Sequence, residues 1–250
     1  METAGPVATV TLARPERRNA QTPSTWRALV AVRDRLGDDV RVVVLRADGP
    51  SFSAGLDRAV LQGGSADGGP GLLELAGLPP AELDATIAGF QEAFTWWYDG
   101  PAVSIAAVQG HAVGAGFQLA LACDLRLCAD DAQFAMRETS LGLVPDLAGT
   151  APLVAAVGYP RALEICATGR WVGATEAHDL GLATAVVPRA DLEATTADLV
   201  AALLAAPPEA LLATKALLRD AGSRTPDQQR AAERAAQAGR LRALLAAHRR

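Results

Sequence analysis

Two turns in this sequence are built from small residues, and each joins an apolar strand to a helix. The first turn carries the letters SFSAGLD at residues 51–57, and the second carries HAVGAG at residues 111–116. Small residues let a backbone approach a ligand closely, and amides at a helix start are unpaired and carry positive potential. Two such amides aimed at one point could stabilise an oxyanion. Strand–glycine–helix joints are also common without any function, so each turn taken alone allows a structural interpretation.

Other active-site patterns fit this sequence poorly. The second turn lacks the GxGxxG order of a dinucleotide site. Ser104 lies inside a predicted strand without plausible His and Asp partners, which argues against a serine hydrolase. Cysteines and histidines form no CxxC motif and no cluster, so we expect reduced, buried thiols and no metal site. These residues are Cys123, Cys128, Cys166, His111, His178 and His248.

The elements that would position the two turns alternate between strand and helix. From about residue 190 the chain becomes Ala-rich and helical, with breaks at Pro207-Pro208 and at residues 222–226. Residues 63–80 are rich in Gly and Pro, and we expect a loop there. The pattern predicts an α/β core over residues 1–190 and a helical region over residues 191–250. Strands are predicted at residues 7–12, 40–45, 101–108, 125–128 and 132–135, and helices at residues 24–36, 81–98, 116–123 and 150–157.

Composition limits the classes of protein that this chain could belong to. It has 250 residues, of which 50% are hydrophobic, and this is enough to bury a large core. The formal net charge of −5 argues against a general nucleic-acid binder. No run reaches the roughly 20 apolar residues of a membrane span, and the N-terminal residues do not resemble a signal peptide. We therefore expect a cytoplasmic protein that binds neither nucleic acid nor membrane.

Several segments in family order resemble the crotonase superfamily, also called the enoyl-CoA hydratase/isomerase family. RPERRNA at residues 14–20, the two turns and LGLVP at residues 141–145 are similar to its motifs. The resemblance covers about the whole chain, and several motifs in register are far more specific than any single one. It implies a ClpP/crotonase-like spiral of ββα units with a C-terminal helical trimerisation region. It also implies an acyl-CoA thioester substrate, no separate cofactor, and a homotrimer or homohexamer.

Individual site residues follow from the same resemblance. The Leu56 and Ala115 amides match the two oxyanion donors of the family. Because a backbone N–H does this work, the identity of the side chain matters little. Arg18 falls where the family touches the CoA nucleotide, although an ordinary exposed arginine fits that position as well. The substrate-binding positions that the resemblance implies are Arg18, Ala20, Ala54 and Gly114.

Two positions decide which reaction the resemblance implies. Family hydratases use two glutamates to hold and deprotonate a water molecule, and the matching residues here are Gln118 and Glu138. An amide can hold water or orient a substrate, but it cannot accept a proton at neutral pH. A double-bond shift needs only one base, which Glu138 could supply. We therefore expect isomerisation in preference to hydration, with Gln118 orienting substrate or water.

Three alternatives remain open in the sequence. Asp146 lies eight residues after Glu138, at a place where some family isomerases and dehalogenases use an aspartate. It could instead cap the helix predicted near Thr150. Glu138 itself could be an exposed loop glutamate. Finally, Gln118 would also suit an acyl-CoA-binding homologue that has no catalytic activity.

Overall fold

The computed structural model describes residues 1–63 and 69–248. Most of its strands pair in parallel, and helices connect many of them, so the predicted α/β class is confirmed. The strands are β1 (Glu2–Ala4), β2 (Val7–Leu12), β3 (Val42–Ala47), β4 (Val103–Val108), β5 (His111–Val113), β6 (Leu125–Ala129), β7 (Gln133–Ala135), β8 (Val172–Gly173) and β9 (Ala185–Val187).

Helices cover both faces of the main sheet and form the whole C-terminal region. The helix predicted at residues 150–157 has those bounds in the structure. The helices are α1 (Pro23–Arg33), α2 (Arg58–Leu61), α3 (Leu72–Ala76), α4 (Pro80–Asp99), α5 (Ala115–Ala122), α6 (Thr150–Val157), α7 (Tyr159–Thr168), α8 (Ala174–Asp179), α9 (Leu192–Ala205), α10 (Pro208–Arg219) and α11 (Pro226–His248).

The larger sheet has the strand order β1-β2-β3-β4-β6-β9 within the described residues. The pairs from β2 to β9 are parallel, with Val44 opposite Ile105 in the central pair. Strand β4 is buried at every position, as expected for a parallel strand covered on both faces. One face packs against α1, α4 and α5, and the other packs against α9.

The chain repeatedly passes from the larger sheet to a smaller one. After β4 it enters β5 and then α5, and after β6 it enters β7. Strands β5 and β7 pair in parallel in the smaller sheet, which also contains β8. A bridge between Ser53 and Ala112 adds the segment after β3 to the same layer. Successive turns of the chain are therefore stacked side by side, which is what brings the two glycine-containing turns together.

The segment predicted as a loop at residues 63–80 is partly helical. Residues 64–68 of that prediction lie outside the described residues. Helix α3 follows, and the Glu74 carboxylate accepts a hydrogen bond from the Gly71 amide at 3.1 Å, which caps its start. Leu72 and Leu75 of this helix face a cavity described below, and this apolar contact explains why Gly and Pro did not prevent helix formation there.

The C-terminal helices differ in how they attach to the core. Helix α9 packs with Leu199, Val200 and Leu203 on the outer face of the sheet. Helix α10 is held by Lys215, whose ammonium group lies 2.8 Å from Asp124 Oδ2 and 2.6 Å from the Ala102 carbonyl oxygen. In helix α11 no described residue is buried. A boundary near residue 190 stays a prediction.

A helix that spans a membrane must be long and predominantly apolar. In the described ranges no single helix is both long and apolar enough to cross a membrane. One pair, Arg189–Ala205 with Pro208–Ser223, meets the requirement by length and composition only, and it is bent by 104° at the break.

Candidate active site

The two glycine-containing turns lie against each other at the ends of β3 and β4. The Ser53 amide donates to the His111 carbonyl at 2.9 Å, and the Val113 amide donates to the Ser53 carbonyl at 3.0 Å. Gly55 has a φ of +85°, and a Cβ atom placed there would lie 2.4 Å from the Val113 carbonyl oxygen and 3.6 Å from the Ala115 nitrogen. Only glycine permits both this backbone conformation and this close approach.

The two amides predicted as oxyanion donors flank this contact. Ala115 is the first residue of α5 and follows Gly114, whose φ is 50°. Leu56 follows Gly55 directly. Within the described ranges neither amide donates a hydrogen bond to another protein atom, and both residues line the same cavity. The two N–H groups are therefore available to a ligand, as a helix start predicts for Ala115.

The segment that precedes α1 braces the first turn. The Asn19 side-chain amide donates to the carbonyl oxygens of Asp48 and Ser51, both at 2.9 Å. The Gln21 amide donates to the Gly55 carbonyl at 2.7 Å. Asn19 and Gln21 are buried, and sequence reasoning did not assign either of them a role. Asn19 belongs to the RPERRNA motif, which could have identified it as a brace of this turn.

Glu138 lies beside the second turn. It begins a short 3₁₀ helix, Glu138–Leu141, which ends at Gly142 with a φ of 74°. A Cβ atom placed on Gly114 would lie 3.2 Å from Glu138 Oε1. The residue is only 9% exposed, so the interpretation as an exposed loop glutamate is wrong. Its Oε2 atom is buried, and no described residue donates a hydrogen bond to it.

Gln118, on α5, forms a hydrogen bond with Glu138. The Gln118 side chain is fully buried on α5, and its Nε2 atom donates to Glu138 Oε1 at 2.7 Å. Its Oε1 atom accepts hydrogen bonds from the Leu147 amide at 2.9 Å and the Gly149 amide at 3.3 Å. The amide thus links the carboxylate to the loop before α6. Its hydrogen-bonding groups contact protein atoms rather than the cavity.

Asp146 lies on that loop and lines the same cavity as Glu138. The residue as a whole is exposed, and its carbonyl oxygen accepts a hydrogen bond from Gln91 Nε2 at 2.7 Å. Helix α6 has Gly149 as its N-cap, so the interpretation of Asp146 as the helix cap is wrong. The structure instead brings two carboxylates to one cavity.

The environment raises the pKa of both carboxyl groups. For Glu138 the main cause is burial, which penalises the charged form, and the nearby Asp146 adds to the increase. The hydrogen bond from Gln118 lowers the pKa of Glu138, although by less than burial raises it. For Asp146 burial of the carboxyl group is again the main cause of the increase. A buried carboxyl group with a raised pKa is suited to proton transfer near neutral pH.

The cavity has a volume of about 390 Å³. It is lined by Leu56, Ala115 and Glu138, and the predicted substrate-binding residues Ala54 and Gly114 also contribute. Most other lining side chains are apolar, as is usual for a small-molecule site. These are Pro23, Trp26, Val60, Leu61, Leu72, Leu75, Leu83, Ile87, Phe90, Val113, Leu141, Leu143, Val144 and Leu147.

Arg18 and Ala20 lie outside the lining of this cavity. The Arg18 carbonyl oxygen accepts a hydrogen bond from the Ala54 amide at 2.9 Å, and Arg18 is exposed. Arg18 thus contacts the first turn through its backbone. The role predicted for them at the CoA nucleotide stays a prediction.

The remaining sequence expectations concern thiols and metals. Cys123 and Cys128 are buried, and burial raises the pKa of both thiols, whereas Cys166 is only half-buried, so the expectation of burial is wrong for it. Cys166 lies on α7, where packing leaves part of its surface open. Across the described part of the chain no three Cys, His, Asp or Glu side chains are placed to hold a metal ion.

Known proteins resemble this chain in sequence and in fold. The family model described as "Enoyl-CoA hydratase/isomerase" matches residues 2–240. A candidate enoyl-CoA hydratase from Thermobifida fusca YX, solved in complex with CoA, is 48% identical with a TM-score of 0.92 and covers 98% of this chain and 93% of its own. The same protein in complex with acetoacetyl-CoA is 49% identical with a TM-score of 0.92, covering 96% and 93%.

Curated relatives share the family but carry different activity names. "Probable enoyl-CoA hydratase EchA17" of Mycobacterium tuberculosis is 36% identical over 230 residues, covering 91% of this chain and 82% of its own. "Hydroxycinnamoyl-CoA hydratase-lyase" of Pseudomonas fluorescens is 32% identical over 216 residues, covering 84% and 73%. The crotonase-like fold predicted from sequence is confirmed by the solved structures. The chain therefore belongs to the enoyl-CoA hydratase/isomerase family.

Proposed function

We propose that this protein is an enzyme that shifts the double bond of an enoyl-CoA thioester. The observation that carries the proposal is the placement of Gln118. By the family resemblance it matches the position of the first hydratase glutamate. Its side chain is fully buried and hydrogen-bonds Glu138. Hydration by two glutamates needs a second carboxylate at that position, whereas a double-bond shift needs one base.

In the proposed mechanism the thioester carbonyl oxygen accepts hydrogen bonds from the Leu56 and Ala115 amides. These donors stabilise the negative charge that develops on the oxygen when a neighbouring proton is removed. Glu138 Oε2, which has no partner among the described residues, removes a proton from C2 of a 3-enoyl thioester. The same carboxyl group returns the proton to C4 of the dienolate, and the product is the conjugated 2-enoyl thioester.

Asp146 has an electrostatic role in this proposal. It lines the cavity, and its charge raises the pKa of Glu138. A higher pKa makes the Glu138 carboxylate a stronger base, which favours removal of a weakly acidic C2 proton. The CoA nucleotide would lie near Arg18 and Ala20.

A panel of CoA thioesters separates the possible activities. Purified protein is incubated with 3-enoyl-CoA and with crotonyl-CoA, and products are followed by ultraviolet absorbance and mass. Isomerisation creates a conjugated thioester without a change of mass, whereas hydration adds one water and removes the conjugation. We expect isomerisation of 3-enoyl-CoA to be the faster reaction by at least about 100-fold, because Gln118 cannot act as a base.

Three results would contradict the proposal. Rapid hydration of crotonyl-CoA would show that a second carboxylate at position 118 is unnecessary. Tight binding of thioesters that stay unchanged would identify the protein as a non-catalytic acyl-CoA-binding homologue, and a complete lack of binding would remove CoA thioesters as its ligands.

We further propose that the chain assembles into a homotrimer or homohexamer through its C-terminal helices. Leu241, Leu244 and Leu245 of α11 are each more than half exposed, which leaves an apolar surface without a partner in the described chain. Light scattering of the purified protein measures the assembly directly. A monomeric mass at micromolar concentration would contradict this proposal.

A further inference from the structure

One face of α4 lines the cavity that also contains Glu138. Leu83, Ile87 and Phe90 of this helix all line it, at spacings of four and three residues that place them on one face. A helix rises 1.5 Å per residue, so the seven steps from Leu83 to Phe90 correspond to a wall of about 10 Å. The same cavity is also lined by Leu61 of α2 and by Leu72 and Leu75 of α3.

The charged residues described in the lining of this cavity come from one stretch of the chain. Arg137, Glu138 and Asp146 are the charged residues in its lining as far as the structure describes it, and all three belong to one segment of the chain. Trp26 also lines the cavity, and its indole N–H already donates to Gln21 Oε1 at 2.8 Å. The described residues of α2, α3 and α4 that line the cavity are therefore apolar and offer a ligand no charged partner.

We infer that the acyl group of the substrate is an uncharged hydrocarbon chain of medium length. Its length would match that of the apolar face of α4. An extended chain advances about 3.6 Å for three single bonds, so about 10 Å accommodates roughly eight carbons. With the reacting carbons at Glu138, this corresponds to an acyl group of about ten to twelve carbons. The inference rests on the proposed function, because that function places the thioester between Leu56 and Ala115.

The same surface excludes other classes of acyl group. A terminal carboxylate or a series of hydroxyl groups would lose its hydration against Leu83 and Ile87 without gaining a partner, and burial of an unpaired charge is strongly unfavourable. A four-carbon acyl group would leave most of the apolar wall in contact with water. Both classes should therefore be poorer substrates than a medium-length hydrocarbon chain.

A substitution in the middle of the α4 wall tests the inference. In Ile87→Phe a larger aromatic side chain fills part of the cavity beside α4. Each substrate methylene that is then no longer buried lowers the affinity about fourfold. We expect the ratio of kcat/KM for dodecenoyl-CoA to that for butenoyl-CoA to fall at least about tenfold. The matched control is Ala88→Phe, which adds the same ring at an exposed position of α4 and should leave the ratio unchanged.

A binding experiment separates this inference from the proposed function. Saturated acyl-CoA thioesters of four, eight and twelve carbons cannot isomerise, and calorimetry gives their affinities for the intact protein. We expect affinity to rise with length for the wild-type chain and for Ala88→Phe, and to rise less for Ile87→Phe. A thermal melt of each variant confirms that it is folded.

Outcomes of the two experiments differ in meaning. Length-dependent binding without turnover would remove the proposed isomerase activity and keep the acyl-length inference. Turnover or binding that is independent of chain length, or that is unchanged in a folded Ile87→Phe variant, would overturn the inference and leave the isomerase proposal in place. Preference for an acyl group with a terminal carboxylate would also overturn it.

Discussion

At the scale of single residues, the Glu138 carboxyl group combines burial with one oxygen that has no described partner. In Glu138→Gln the shape is retained but the base is lost. We expect turnover to fall by about 10²–10⁴-fold, the usual contribution of a general base. Affinity for a saturated acyl-CoA should change little. The exposed Glu82→Gln variant on α4 is the control, and retained turnover in Glu138→Gln would remove this residue as the base.

Gln118 affects the same carboxyl group through one hydrogen bond. A donor to the charged form lowers the pKa of Glu138, so Gln118→Leu should raise that pKa further. Because the base acts when deprotonated, the acidic limb of the kcat profile should move to higher pH. The exposed Gln133→Leu variant should leave the limb in place. An acidic limb of the kcat profile that is unchanged in a folded Gln118→Leu variant would show that Gln118 does not affect the pKa of Glu138.

At the scale of elements, the contact between the two turns depends on Gly55. In Gly55→Ala the new Cβ atom would lie 2.4 Å from the Val113 carbonyl oxygen, and the φ of +85° is unfavourable for alanine. We expect a loss of about 1–3 kcal/mol in the free energy of unfolding, together with a large loss of turnover. Urea denaturation and kcat/KM measure the two effects.

The control for Gly55 is another glycine in an ordinary helical position. Gly89 lies within α4, and a Cβ atom placed there would meet no atom within 4 Å. Gly89→Ala should therefore stabilise the protein by up to about 1 kcal/mol and preserve turnover. Equal changes in unfolding free energy and turnover for Gly55→Ala and Gly89→Ala would contradict a special role for the close contact between the two turns.

At the scale of the whole molecule, Lys215 joins α10 to the core. Its ammonium group and the Asp124 carboxylate are both mostly buried and lie 2.8 Å apart. Lys215→Ala leaves the carboxylate buried without its cation, which should reduce the free energy of unfolding by about 3–5 kcal/mol. The exposed pair of Arg230 and Asp227 is the comparison, and Arg230→Ala should cost less than about 1 kcal/mol. Equal losses of unfolding free energy in Lys215→Ala and Arg230→Ala, measured with denaturant, would contradict a structural role for Lys215.

Several parts of the fold and site were predictable from the order of the amino acids. Buried runs such as that of β4 identified the parallel strands, because hydrophobic periodicity reflects burial directly. The small residues around Gly55 and Gly114 identified the turns, because few other residues permit such backbones. These features are local, so the sequence by itself determined them, along with the family resemblance that they support.

Only the tertiary structure decided how these parts meet. The contact of Gln118 with Glu138 and with the Leu147 amide joins segments that are 20 to 29 residues apart, and no local pattern encodes it. The apolar wall formed by α2, α3 and α4 likewise exists only after those helices pack around one cavity. Distances between remote side chains, and the pKa changes that follow from burial, depend on long-range packing, which is why local sequence patterns do not encode them.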